Sequence, residues 1–244
     1  MTKTPTPRPV ADLRVLAFDI GGTGIKASLV DGAGNLLVPR ERVLTPATCP
    51  PSVMLDALGT LAGPLPGHDR IAIGFPGVVK EGVVITAPHF GNKTWSGFPL
   101  ATRVSEIFGS PARVINDAEM QGIAVIAGKG LELVLTLGTG AGTGLFRDGE
   151  LMPHLELAQH PLHKSKTYNE YIGDAALKKT GTKHWNKRVR RTLDVLEKLL
   201  HFDHLFIGGG NARKIAFELP SSVTIVSNDA GLGGGGVLWS RLER

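Results

Sequence analysis

The sequence predicts an α/β fold made of two similar lobes, and three observations carry that prediction. A glycine-rich segment, Leu16-Ala-Phe-Asp19-Ile-Gly21-Gly22-Thr23-Gly24-Ile-Lys26-Ala-Ser-Leu-Val-Asp31-Gly32, recurs 117 residues later without a gap as Leu133-Val-Leu-Thr136-Leu-Gly138-Thr139-Gly140-Ala-Gly142-Thr143-Gly144-Leu-Phe-Arg-Asp148-Gly149. Each copy is an apolar run, a corner of glycines and small hydroxyl residues, a second apolar run and an Asp-Gly turn, which reads as a strand, a tight turn and an antiparallel strand. The elements that follow each copy come in the same order.

The first lobe opens with strand-like runs at 13–20, 25–31 and 36–45. A helix at 52–62 follows, with Met54, Leu55, Leu58 and Leu61 on one face. Strands at 70–76 and 82–87 come next, then an amphipathic helix at 100–108 that ends at Gly109. A short strand at 112–115 delivers Asn116 and Asp117 to the start of a helix at 119–127. The second lobe has strands at 132–137, 143–147 and near 150–155, and helices near 168–179 and 183–201. In the latter helix Trp185, Val189, Leu193, Leu196 and Leu200 form an apolar stripe. A strand at 204–207 runs into Gly208-Gly209-Gly210, and one at 223–226 leads to Asn228-Asp229 and a glycine-rich terminal helix. Three antiparallel strands and then alternating helices and strands, done twice, is by analogy the order of the duplicated actin-like (ribonuclease-H-like) fold. The expected division is a tail at 1–11, an N-terminal lobe at 12–118, a C-terminal lobe at 119–229, and a helix at 230–244 packing back on the N-terminal lobe.

At 244 residues, 42% hydrophobic and 20% charged, the chain can bury a sizeable core. No apolar run reaches the roughly 18–20 residues of a membrane span, and 1–9 lacks the apolar core of a signal peptide. The single Cys49 excludes an internal disulfide framework and a multi-cysteine zinc site. A cytoplasmic protein without a membrane partner is the expectation. The net charge of +5 is concentrated at 160–200, where Lys164, Lys166, Lys178, Lys179, Lys183, Lys187, Arg188, Arg190, Arg191 and Lys198 face four acids. Such a run attracts polyanions, although by itself it reads first as a solvated helix face. No nucleic-acid-binding motif accompanies it, so nucleic acid is not an expected partner.

The glycine corners point to phosphate chemistry, because glycine lets backbone N–H groups converge on an anion. Asp19 can hold Mg²⁺ while Lys26 neutralises phosphate oxygens. The second corner has Thr136 in place of Asp19, so it offers phosphate binding without a metal carboxylate. Asn116-Asp117 reads either as a helix cap or as a general base with an amide beside it. Between two phosphate corners the base is the favoured reading. The Gly231-x-Gly233-x-x-Gly236 pattern lacks the first-strand context of a dinucleotide site and is expected to serve close helix packing.

Six motifs stand in order: 19–26, Gly74-Phe-Pro-Gly-Val78, Val114-Ile-Asn-Asp-Ala118, Leu135-Thr-Leu-Gly-Thr-Gly140, Ile207-Gly-Gly-Gly210 and Asn228-Asp-Ala-Gly-Leu232. Through them the chain resembles the ROK (repressor, open reading frame, kinase) family of sugar kinases from Leu13 onward. Within it the chain looks most like the bacterial polyphosphate glucokinases. The pointers are Gly24-Ile-Lys26, Trp95 after Thr86-Ala-Pro88, and the absence of the family's cysteine-rich zinc motif.

The resemblance implies a hexose kinase in which Asp117 deprotonates the sugar 6-hydroxyl. Asn116, Asp117, Glu156, Gln159 and Asn92 would hold the sugar. Asp19, Gly21, Gly22, Thr23 and Lys26, with Gly138, Thr139 and Gly140, would hold phosphates and, through Asp19, Mg²⁺. Gly208, Gly209 and Gly210 would flank the adenosine where ATP rather than polyphosphate is the donor. The family is often dimeric, so a homodimer is allowed. The family's Glu-x-Gly-His motif here reads Glu156-Leu-Ala-Gln159, which keeps a second reading open: a sugar-binding regulatory or degenerate member without kinase activity.

Overall fold

In this computed structural model the structure describes residues 12–227 and 230–242, without the side chains of 241 and 242. The expected tail at 1–11 and the Asn228-Asp229 pair lie outside the described residues. The described residues fall into two compact units, 12–115 with 232–242, and 116–227 with 230–231.

The first unit is built on β1 (Val15–Ile20), β2 (Ile25–Val30), β3 (Glu41–Val43), β4 (Arg70–Phe75) and β7 (Ala112–Asn116), in the order β3-β2-β1-β4-β7. β1 is antiparallel to β2 and parallel to β4. β3 is much shorter than the 36–45 run. Only a single bridge, Val30 to Leu36, precedes it, and Pro39 has no N–H to give a ladder. Helix α1 (Pro51–Ala62) buries Met54, Leu58 and Leu61. The strand expected at 82–87 is one arm of a small hairpin, β5 (Val79–Lys80) with β6 (Val83–Val84). After the short α2 (Asn92–Trp95) comes α3 (Leu100–Phe108), which stops at Gly109 in a left-handed conformation, φ 68°. Trp95 is fully buried among Phe75, Phe90 and Phe98, and its indole N–H donates to the carbonyl of Cys49 at 2.9 Å.

The second unit repeats the scheme. Helix α4 (Asp117–Ile123) precedes β8 (Leu131–Leu137), β9 (Ala141–Arg147) and β10 (Glu150–Leu151). A hairpin that the sequence reading missed, β11 (Pro161–His163) with β12 (Lys166–Thr167), leads into α5 (Tyr168–Ile172) and α6 (Asp174–Leu200). With β13 (His204–Gly208) and β14 (Val223–Ile225) the sheet order is β10-β9-β8-β13-β14. The third, second, first, fourth and fifth strands of each sheet thus lie in the same sequence across it.

Helix α4 is shorter than the 119–127 expectation. The buried Glu132 carboxylate accepts from the N–H groups of Ala127, Gly128 and Lys129 at 2.7, 2.7 and 3.2 Å, which pulls the chain out of helical pairing. The helix expected at 168–179 is split at Gly173. A side chain there would press on the carbonyls of Asn169 and Thr139. Gly181 (φ 71°) then interrupts α6 between the two helices the sequence separates. The stripe from Trp185 to Leu196 is buried as expected, and the Trp185 indole N–H donates to the Ile172 carbonyl at 2.8 Å.

Helix α7 (Ala230–Leu242) returns the chain to the first unit. Its glycines serve close packing. A Cβ on Gly235 would stand 2.9 Å from the Cβ atoms of both Ala17 and Ala72, and one on Gly233 would stand 2.7 Å from the Gly34 carbonyl oxygen. Trp239 anchors it by donating to the Ile71 carbonyl at 2.9 Å, under the guanidinium of Arg113 at 3.8 Å. Among the described residues no helix is long and apolar enough to cross a membrane.

Candidate active site

In the first unit β1 and β2 hold the corner between Ile20 and Ile25. The Gly21 N–H donates to the Gly24 carbonyl at 3.0 Å, and the Thr45 hydroxyl donates to the Gly21 carbonyl at 2.7 Å. Gly22 and Thr23 are exposed at the tip. Asp19 and Lys26 face each other across the ladder, with Nζ 2.8 Å from Oδ2. The Arg42 guanidinium packs so closely on Gly24 that a Cβ there would stand 2.8 Å from its Nε. The corner therefore gathers two cations and one carboxylate around exposed backbone.

The second corner is not a copy of the first. Ile20 pairs with Ile25 across four residues, whereas Leu137 pairs with Ala141 across three. The gapless repeat sets Lys26 against Thr143, but the ladder sets Thr136 opposite Gly142, so Gly142 takes the place of Lys26. The gapless alignment thus fails in the second strand, because the turn is one residue tighter. The Gly138 N–H donates to the Gly140 carbonyl at 3.0 Å, and Thr139 is exposed between them. Asn169 fixes the far side by accepting from the Ala141 N–H at 2.7 Å. Neither charge of the first corner has an equivalent at these rungs.

Asn116 and Asp117 lie in the same unit as the second corner. Asn116 is the cap of α4: its Oδ1 accepts from the Ala118 N–H at 2.9 Å, and its own N–H donates to Glu119 at 3.1 Å. Asp117 stands half-buried as the first helical residue, and its Oδ1 shares the Ala118 N–H at 2.9 Å. A negative side chain is favoured there by the helix dipole. A Cβ on Gly142 would stand 3.9 Å from Asp117 Oδ1. The second corner and the candidate base are thus neighbours.

Glu156 precedes a 3₁₀ turn, Leu157–Gln159, at whose end Gln159 is exposed. Asn92 starts α2 in the first unit, and its side-chain carbonyl accepts from the Ala87 N–H at 2.7 Å. Gly208 and Gly209 have a packing reason to be glycine: a Cβ on Gly208 would stand 2.6 Å from Gln121 Nε2, and one on Gly209 (φ 86°) would overlap the Leu137 backbone. Gly210 is exposed.

The basic run is divided in its roles. Arg188 stacks on Tyr171 at 5.0 Å and Arg190 on Phe217 at 4.7 Å, while Lys178 pairs with Asp174 at 2.6 Å. Lys183, Lys187, Arg191 and Lys198 are exposed on α6. His163 feels this field: some desolvation and the charges of Arg191, Lys164 and Arg188 hold its imidazole below the ordinary range.

One functional candidate escaped the sequence reading. His154 places Nδ1 2.6 Å from Glu119 Oε1 and Nε2 3.4 Å from Glu156 Oε2. Its only sequence signal is a position two residues ahead of Glu156. Among the described residues no group of three or more His, Cys, Asp or Glu could hold a metal ion.

A sequence model of the ROK family matches residues 15–154. The polyphosphate glucokinase of Mycobacterium tuberculosis (strain CDC 1551 / Oshkosh) is 31% identical over 219 residues, covering 86% of this chain and 82% of that protein. The polyphosphate glucokinase of Mycobacterium leprae (strain TN) is 29% identical over 233 residues, covering 89% and 72%. Among solved structures, the inorganic polyphosphate/ATP-glucomannokinase of Arthrobacter sp. strain KM superposes with a TM-score of 0.85 at 28% identity, covering 96% of this chain and all of that one.

Proposed function

The chain belongs to the ROK family, and from that premise we infer that it is a hexose kinase, transferring a phosphoryl group from polyphosphate, ATP or both to the 6-hydroxyl of glucose or a related hexose. The observation that carries the reading is the half-buried Asp117 carboxylate, the first residue of the helix that Asn116 caps, set beside the second glycine corner. The names of the relatives, polyphosphate glucokinase and polyphosphate/ATP-glucomannokinase, support both acceptor and donor.

In the proposed reaction Asp117 accepts the proton of the 6-hydroxyl as that oxygen attacks the terminal phosphorus. A new P–O bond forms, the bond to the bridging oxygen breaks, and a shortened polyphosphate or ADP leaves. The proton on Asp117 passes to water. Asn116 and Glu156 orient sugar hydroxyls, and the N–H groups of the corners receive phosphate oxygens. Asp19 suits Mg²⁺, a hard ion commonly held by one or two carboxylates together with substrate phosphates, and Lys26 directs that carboxylate from 2.8 Å. When bound, the metal would supply charge neutralisation at the transferred group. The exposed cations of α6 suit a long polyanion better than a nucleotide, which needs few.

A coupled assay of a hexose panel against ATP and polyphosphate tests the reading. Phosphorylation of at least one hexose is expected. Hexose binding in calorimetry without turnover on either donor would favour the regulatory alternative that Gln159 keeps open.

A further inference from the structure

We propose that His154 is a positioning residue for the sugar site: it is held as an imidazolium between Glu119 and Glu156, and so ties the sugar-orienting carboxylate to the cap of the catalytic helix. The inference rests on the kinase reading above.

The geometry suits two protons on the ring. Nδ1 faces one carboxylate oxygen at 2.6 Å and Nε2 faces another at 3.4 Å. A neutral imidazole has one N–H, so one carboxylate would face a bare nitrogen lone pair. Burial opposes the charge, yet the hydrogen bonds and charges of Glu119 and Glu156 outweigh it and raise the ring's pKa to about 9. Those two residues, one from α4 and one on the ring's own segment, are the charged groups that act on it.

The three side chains grade outward. Glu119 is 7% exposed, His154 14% and Glu156 32%. The inner carboxylate also accepts from the Asn116 N–H, one residue from Asp117. The outer one is bound to the ring through a single oxygen, Oε2, which leaves Oε1 to accept a sugar hydroxyl. His154 thus links the backbone that sets Asp117 to the carboxylate that receives sugar. On deprotonation the shorter bond to Glu119 keeps the remaining proton, and the bond to Glu156 is lost.

The test is hexose kinetics of wild type and His154→Gln against pH, with NMR titration of the His154 ring in wild type. Glutamine keeps N–H donors but carries no charge, so the charge-assisted link between the two carboxylates is lost. The hexose KM of His154→Gln should rise about tenfold, the loss expected for a charge-assisted hydrogen bond, with the donor KM unchanged and kcat changed less. Wild-type hexose KM should climb as pH passes about 9, and that limb should be missing in the variant. Wild type active on hexose with an unchanged KM in the variant, or with the same alkaline limb in both, overturns the role of His154 alone. A ring titrating near its ordinary value overturns it without any variant. Wild type inactive on every hexose overturns the kinase reading itself.

Discussion

A methyl group on Gly142 would stand 2.9 Å from the Cβ of Ala118, one residue beyond Asp117, so the second strand of the second corner packs directly on the first turn of helix α4. The same methyl would lie 2.8 Å from the Thr136 hydroxyl, which bonds the Gly142 N–H at 3.1 Å. Gly142→Ala should therefore push α4 off β9. Overpacking of this kind costs about 1–3 kcal/mol. Urea unfolding should show that loss, and kcat should fall with it because Asp117 moves. Unchanged kcat in a destabilised variant would mean that Asp117 does not depend on this contact.

Asp19→Ala should weaken metal-dependent turnover more than hexose binding. Asp19 and Lys26 are partly exposed, so removing the pair should cost less than about 1 kcal/mol of stability. Turnover measured against Mg²⁺ concentration should need more metal in the variant, with hexose affinity by calorimetry unaltered. Lost hexose affinity with the same metal dependence would contradict the assignment.

Removing the exposed cations Lys183, Lys187, Arg191 and Lys198 should raise the polyphosphate KM and spare the ATP KM. Arg188 and Arg190 are excluded from the set because their stacking on Tyr171 and Phe217 makes them packing residues. Polyphosphate KM in wild type should also rise steeply with salt, as counterions are released on neutralising several phosphates. Equal responses of both donors would return α6 to a solvated face.

His154 makes a pH prediction for stability. Its pKa of about 9 in the folded chain lies above the ordinary 6.5. The stabilisation is therefore complete below pH 6.5 and is lost as pH rises through about 9. The full swing is on the order of 3 kcal/mol. Urea midpoints from pH 6 to pH 10 should fall for wild type and stay nearer level for His154→Gln. Parallel curves would remove the buried imidazolium.

The duplicated strand order, the helix at Pro51–Ala62, the stop at Gly109 and the Trp185 stripe were legible because each rests on local periodicity or on one residue's backbone preference. The misses have long-range causes. Glu132 ends α4 by reaching back to three N–H groups, and Gly173 splits a helix because of a carbonyl at Thr139. The tighter second corner was hidden because two glycine-rich strings align equally well with or without a shifted rung. Asp117 and Glu156 could be picked out as acids in motifs. The link between Glu119 and His154 could not, since it spans 35 residues and its charge is created by packing.

The most direct test of the account is the rate of hexose phosphorylation by Asp117→Asn, measured at saturating hexose with ATP and with polyphosphate beside a thermal melt. The substitution keeps the shape of the side chain and removes the base. The account predicts a loss of about 10²–10⁴-fold in kcat with either donor, and a melt within a few degrees of wild type. A folded Asp117→Asn protein that phosphorylates hexose at the wild-type rate would contradict it.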